Sequence, residues 1–283
     1  MTTALETKNK PGVVYIKPSR GWVSLRLRDL WEYRELIYFL TWRDIKVRYK
    51  QSVLGIMWAV INPFMSMVVY TIFFGTLAKI PSDGVPYPIF SYTALLPWIL
   101  FSSALSVASR SMVSSGNMIS KVYFPRMIVP LASVMSSVVD FFIAFIILIG
   151  MMLFYQITPT IAILWLPALI LLALISALGV GFWFSALMVR YRDVGYLMPF
   201  VTELWKFLTP VVYPASMIPE KWRLLYALNP MTGVVEGFRY ALLGTTQSIS
   251  LPMILVSSGI AILVLISGLF YFRRMEKQFA DMI

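Results

Sequence analysis

Cysteine and histidine are both missing from the 283 residues. Their absence excludes disulfides, thiolate zinc sites, cysteine nucleophiles and histidine general bases. Charge is scarce too. Only 13% of residues are Asp, Glu, Lys or Arg, about half the share usual in a soluble domain (roughly 25%). Acids are the scarcer sign, 13 against 24 basic residues. No G-x-x-x-x-G-K-[ST] phosphate loop occurs, so this chain does not hydrolyse ATP by that device. The first 50 residues lack the apolar run of a cleavable signal peptide, and the first span is expected to serve as its own insertion signal.

What is present is hydrophobic length: 59% of the residues are hydrophobic. Stretches 51–78 and 84–109 contain no Asp, Glu, Lys or Arg, and about 20 apolar residues cross a bilayer core. The same reading gives six spans, at Ser52–Leu77, Ile89–Val113, Ile128–Tyr155, Ile161–Val189, Gly195–Tyr213 and Leu251–Phe272. Asn62-Pro63 marks a kink in the first. The fold expected is therefore an all-α integral membrane protein.

Charge sets the orientation. Eleven basic residues lie in 1–50, three in 110–126, two in 190–193 and three after 272. Loops on the opposite side hold Lys79, Lys221, Arg223 and Arg239. Cytoplasmic loops collect Lys and Arg, so both termini of this multi-pass protein are expected in the cytoplasm. The net charge of +11 is assigned to anionic headgroups and topology rather than to nucleic acid.

Residues 1–20 read as a mobile tail. Tyr33, Leu36, Ile37 and Leu40 then fall at i, i+3, i+4, i+7. With Trp31, Tyr38 and Trp42 among charged positions, the segment predicts an amphipathic helix lying in the membrane interface. Domain organisation follows: 1–50 as cytoplasmic tail and interface helix, 51–272 as a six-span domain, and 273–283 as a cytoplasmic tail. Segment 214–250 is too apolar for a plain loop. Two short helices broken at Pro230 are expected there, dipping into the bilayer where protein or a wet cavity covers the break.

Three ionisable side chains fall within the spans: Asp140, Glu203 and Lys206. Such residues are functional candidates by default. Asp140 lies about 18 Å into its span at 1.5 Å per residue. It reads either as a hydrogen-bond acceptor between helices, with nearby Ser or Thr as donors, or as a proton or substrate ligand. Glu203 and Lys206 are spaced to pair on one helix face, and Glu236 and Arg239 repeat that spacing. The aromatics Trp58, Tyr70, Phe73, Trp98 and Phe101 serve either as packing and lipid-facing rings or as a path on which sugar rings stack. The loop Ser114–Arg126, with Gly116, Asn117, Lys121 and Pro125, suits a short helix on which a partner docks. No catalytic residue and no metal site is expected.

Several segments together resemble one family. Trp42-Arg43-Asp44-Ile45-Lys46-Val47-Arg48-Tyr49-Lys50-Gln51 with Leu54-Gly55 is similar to the N-terminal signature of ABC-type polysaccharide export permeases. Leu96-Pro97-Trp98, Lys121-Val122-Tyr123-Phe124-Pro125-Arg126 and Pro210-Val211-Val212-Tyr213-Pro214 also resemble it. Ile218-Pro219-Glu220-Lys221-Trp222-Arg223, Asn229-Pro230-Met231 and Glu236-Gly237-Phe238-Arg239 complete the series over about residues 30–245.

The resemblance implies a permease subunit that exports a lipid-linked polysaccharide such as O-antigen, capsule or teichoic acid. It implies two copies of this chain with two separate ATPase subunits, which bind the ATP and Mg; this chain needs no cofactor. Ser120, Lys121, Tyr123 and Phe124 would form the coupling helix, and Arg43, Asp44 and Lys46 would also touch the ATPase. Beside the resemblance, Trp58, Tyr70, Phe73, Trp98 and Phe101 stand as the candidate rings of a translocation path. Asn229, Pro230, Glu236 and Arg239 would belong to re-entrant helices at a periplasmic gate. Two rival classes predict other patterns. A membrane enzyme on polyprenyl-linked sugars needs clustered acids or histidine, and an ion-coupled transporter shows intramembrane acids in repeated positions.

Overall fold

The structure, a computed structural model, describes residues 27–50, 55–245, 251–276 and 279. The expected tail at 1–20, Gln51, Ser52, Leu54 and most of the C-terminal tail lie outside them. Every regular element among the described residues is helical.

Helix α1 (Leu27–Glu32) leads into α2 (Arg34–Lys50). On α2 the inward stripe is Leu36, Ile37, Leu40, Thr41, Asp44, Ile45, Arg48 and Tyr49, which follows the helical repeat. The stripe starts apolar and ends polar. Leu40 is buried against the start of a later helix, while Trp31, Tyr38, Phe39 and Trp42 stay exposed. The expected amphipathic face is present, except that Tyr33 at its start is exposed.

Helix α3 (Met57–Tyr70) runs unbroken through Pro63 and continues as a π-helical stretch, Thr71–Leu77. Helix α4 (Tyr87–Ser114) is the centre of the bundle, and Ile89, Phe90, Tyr92, Phe101, Ala104, Leu105 and Ala108 on it are fully buried. The four-residue α5 (Gly116–Ile119) follows, then α6 (Ile128–Phe154). A 3-10 turn at Ile161–Trp165 opens α7 (Leu166–Arg190). Helix α8 (Val194–Phe207) is short, and α9 (Glu220–Tyr226) and α10 (Pro230–Leu243) precede α11 (Leu251–Met275).

Among the described residues, five helical stretches are long and apolar enough to cross a membrane: Met57–Leu77, Tyr87–Ser114, Ile128–Phe154, Ile161–Arg190 and Leu251–Met275. The fifth span expected, Gly195–Tyr213, is not among them. Its helix stops at Phe207, and Pro210 and Pro214 follow in the next seven residues. Proline lacks the N–H that continues a helix, so a run of apolar residues there does not become a continuous rod. At 14 residues α8 is about 21 Å long, shorter than a core of about 30 Å.

Helices α7 and α11 cross on glycine. A Cβ placed on Gly268 would lie 2.2 Å from the Gly179 carbonyl oxygen, and one on Gly179 would lie 2.7 Å from the Leu265 nitrogen. Small residues let membrane helices approach this closely. Beside the crossing, Trp183 and Tyr271 stack at 4.0 Å between ring centres, and the Trp183 indole donates to the Ser267 hydroxyl at 3.1 Å.

Candidate functional site

The two ends of the bundle carry different chemistry. At one end, α2, α5 and the adjoining ends of α4, α6, α7 and α11 share a core of Leu40, Met112, Ile119, Ile128, Phe182 and Phe272. Here the stretch expected to couple to an ATPase turns a knuckle outward. Ser120 and Lys121 are exposed and Tyr123 is 80% exposed, whereas Phe124 is 5% exposed and packs into the core just named. The structure therefore splits the proposed coupling residues into a presented group and an anchor.

Arg43 joins α2 to this knuckle. Its guanidinium pairs with Asp44 at 2.8 Å and donates to the Met118 sulfur at 3.6 Å. The other Asp44 oxygen accepts from the Ser133 hydroxyl at 3.2 Å, which ties α2 to α6. Lys46 is exposed, with its ammonium 5.3 Å from the centre of the Trp42 ring. After the knuckle, Arg126 donates to the Glu276 carbonyl at 2.6 Å, and Glu276 also pairs with Arg273. This clasp between the α5 loop and the end of α11 was not anticipated; its partners lie 150 residues apart.

Deeper along α6, Asp140 receives two donors from the end of α2. Arg48 makes an ion pair with it and Tyr49 donates its phenol O–H. Arg48 also donates to the Ser136 hydroxyl at 3.2 Å. The donors expected for Asp140 were nearby Ser or Thr; the structure supplies a cation and a phenol from 91 and 92 residues away. Burial and the neighbouring carboxylate raise the Tyr49 phenol above its usual range. A cavity of about 240 Å³ beside this cluster is lined by Trp58, Asn62, Ser137 and Asp140 among others.

At the opposite end, α10 is enclosed by α4, α7 and α11. Asn229 caps it, accepting from the Met231 N–H at 3.0 Å, and Pro230 takes the first position, where its missing N–H costs nothing. The same Asn229 oxygen accepts from the Trp205 indole at 2.9 Å, while its amide donates to the Thr209 hydroxyl and the Leu208 carbonyl. Gly244, at φ +70°, closes the helix in the left-handed conformation that glycine tolerates.

Glu236 and Arg239 pair at 2.8 Å with exposures of 1% and 0%. Arg239 donates to the carbonyls of Pro210, Val211 and Tyr213, and Glu236 accepts from the Ala215 N–H at 3.2 Å. Neutral pairing and backbone donors and acceptors are what a buried charge requires. The pair thus holds the non-helical connection between α8 and α9 against α10. Glu203 and Lys206 do pair, at 2.5 Å, but Glu203 stays exposed.

The five aromatics proposed for a path do not share one surface. Trp58 and Phe73 are 55% and 57% exposed on the α3 side, and Tyr70 is half-buried. Trp98 and Phe101 are 4% and 0% exposed in the core of the bundle, where Phe101 meets Trp205 edge-on at 5.0 Å. Among the described residues, no group of three or more Asp or Glu is placed to hold a metal ion.

The chain matches a known family along most of its length. A model of the family described as ABC-2 type transporter fits residues 35–243, from α2 to the last residue of α10. The chain belongs to the ABC-2 type transporter family. The match takes in α2, the knuckle, the Asp140 cluster and the Glu236–Arg239 pair, and stops before α11. This ABC-2 family member is similar to the O-antigen export system permease protein RfbA of Myxococcus xanthus, 29% identical over 91% of this chain and 98% of the relative. It is also 29% identical to a Klebsiella pneumoniae protein of that name, over 88% and 95%. The polysialic acid transport protein KpsM of Escherichia coli is 22% identical over 71% of this chain and 78% of its own length.

Proposed function

We propose that this chain is the membrane permease of an ABC exporter that moves a lipid-linked polysaccharide of the O-antigen kind across the inner membrane. The observation that carries the reading is the similarity to O-antigen export permeases, which extends over nearly all of both chains. The bundle fits a transport subunit: its ionisable side chains in the membrane are paired with one another, and its conspicuous polar sites hold helices together.

The force comes from a separate ATPase, two copies of which seat the knuckle of Lys121 and Tyr123, with α2 alongside. The exposure of the knuckle and its clasp to α2 and α11 support that role. Both termini face the cytoplasm, as the placement of Lys and Arg requires. The sixth crossing is made by α8 together with the non-helical segment 208–214. Helices α7 and α11 both end at the α2 end, where Phe182 meets Phe272, and Arg239 on α10 touches Phe90 at the other end. These placements support a crossing between α7 and α10. Helices α9 and α10 then dip back into the bilayer, where a gate is formed. Two copies pair around a channel, with Trp58, Tyr70 and Phe73 on the open face of α3 as the sugar-facing rings. A capsular polysaccharide is the second cargo, favoured by the similarity to polysialic acid transport proteins.

Reconstitution tests the reading. The chain is co-purified with its proposed ATPase partner and placed in vesicles with lipid-linked glycan. ATP-dependent appearance of glycan on the far side supports the proposal. Export that persists without any ATPase, or that collapses with the proton gradient while ATP is present, rejects it.

A further inference from the structure

A second cavity, of about 480 Å³, opens between α2, α4 and α6 on the knuckle side of the bundle. Three arginines line it, Arg43, Arg48 and Arg110. Ser115 and Ser136, both buried, add hydroxyls to its wall. Asp44 is the one acid in the lining, and it is engaged by Arg43 and Ser133. Asp140 compensates Arg48 from behind. Arg110 makes no ion pair or hydrogen bond among the described residues, so the cavity keeps an uncompensated positive charge.

The depth of the cavity narrows its ligand. Residues 84–109 contain no Asp, Glu, Lys or Arg, and Arg110 is the first after them. It therefore stands at the edge of the hydrocarbon, where phosphate groups of lipids lie. Arginine matches phosphate with two parallel N–H···O bonds, and basic pockets between membrane helices take anionic headgroups. Arg43 and Arg48 are already fixed in place by Asp44 and Asp140, so the ordering cost on binding falls mainly on Arg110.

We propose that this cavity is a binding site for the phosphate of an anionic lipid, with Arg110 as its free cation. The inference rests on charge and depth alone and stands whatever glycan is exported. Two lipids carry that chemistry, a bilayer phospholipid and a polyprenyl phosphate.

The test is native mass spectrometry of the full-length protein in detergent with equimolar phosphatidylglycerol and phosphatidylcholine. Wild type is expected to retain phosphatidylglycerol in preference, and Arg110→Glu to lower that preference about tenfold. Arg110→Lys keeps most of it. Lys79→Glu, an exposed reversal beyond the other end of α4, leaves it unchanged. Thermal melts establish that the exposed Arg110 variants fold. Equal retention of the two lipids by wild type, or an unaltered preference in Arg110→Glu, overturns the proposal. Adding undecaprenyl phosphate separates the sources: displacement of phosphatidylglycerol assigns the site to the carrier of the cargo, and no displacement assigns it to the bilayer.

Discussion

The Arg239 guanidinium lies 3.6 Å from the centre of the Phe90 ring, which joins α10 to the first turn of α4. With Glu236 and three backbone carbonyls it forms a fully buried cluster. A cation over an aromatic face gains most where water is excluded. The connection that replaces the end of the fifth span is thereby fastened to the centre of the bundle.

Removing one member of that cluster takes a partner from each of the others. Arg239→Met is expected to destabilise the protein by about 3–5 kcal/mol, because a buried carboxylate loses its cation and several carbonyls lose a donor. Adding Glu236→Gln to it should recover part of the loss. Thermal unfolding in detergent measures both; a silent single variant rules out the clasp.

Asp140 is predicted to fasten α2 to α6. A double-mutant cycle of Arg48→Gln and Asp140→Asn should show coupling of about 0.5–3 kcal/mol, because the two side chains are ion-paired and only partly exposed. In transport assays Asp140→Asn should keep export driven by ATP. Abolished export together with loss of a dependence on the proton gradient seen in wild type would return Asp140 to the role of a proton ligand.

Methyl groups at the α7–α11 crossing should be costly. Gly268→Ala places a carbon 2.2 Å from the Gly179 carbonyl and is expected to cost about 1–3 kcal/mol through forced separation of the helices. Gly150→Ala on α6 meets nothing within 4 Å and is the matched control. Equal melting temperatures for the two would place the helices further apart than described here.

The knuckle variants should separate docking from folding. Lys121→Glu and Tyr123→Ala alter exposed side chains, so they are expected to keep the melting temperature while lowering ATP turnover coupled to transport. Phe124→Ala empties a buried position and should cost about 3–5 kcal/mol. Normal coupled turnover in both exposed variants would remove the knuckle from the ATPase interface.

Aromatic replacements should divide by burial. Trp58→Ala and Phe73→Ala are expected to slow glycan export with little change in stability. Phe101→Ala should lower the melting temperature first, because its ring fills the core beside Trp98 and Trp205. Export assayed at matched amounts of folded protein distinguishes the two groups.

The sequence by itself determined the helical membrane class, the five long spans, the pairing of Glu203 with Lys206 and of Glu236 with Arg239, and the presence of a short helix within 114–126. Each of these depends on neighbours within a few residues: an unbroken apolar run, an i, i+3 spacing, a proline or a cap. Tertiary structure decided the rest. It gave Asp140 to Arg48 and Tyr49, turned Phe124 inward and Tyr123 outward, buried Trp98 and Phe101, and clasped Arg126 to the end of α11. It also cut the fifth apolar run short, since hydropathy sums a window without asking whether its backbone can stay helical past Pro210. Contacts between residues about 90 or 150 positions apart leave no mark in a local pattern, and which face of an apolar helix meets protein rather than lipid is fixed only when the neighbouring helices are in place.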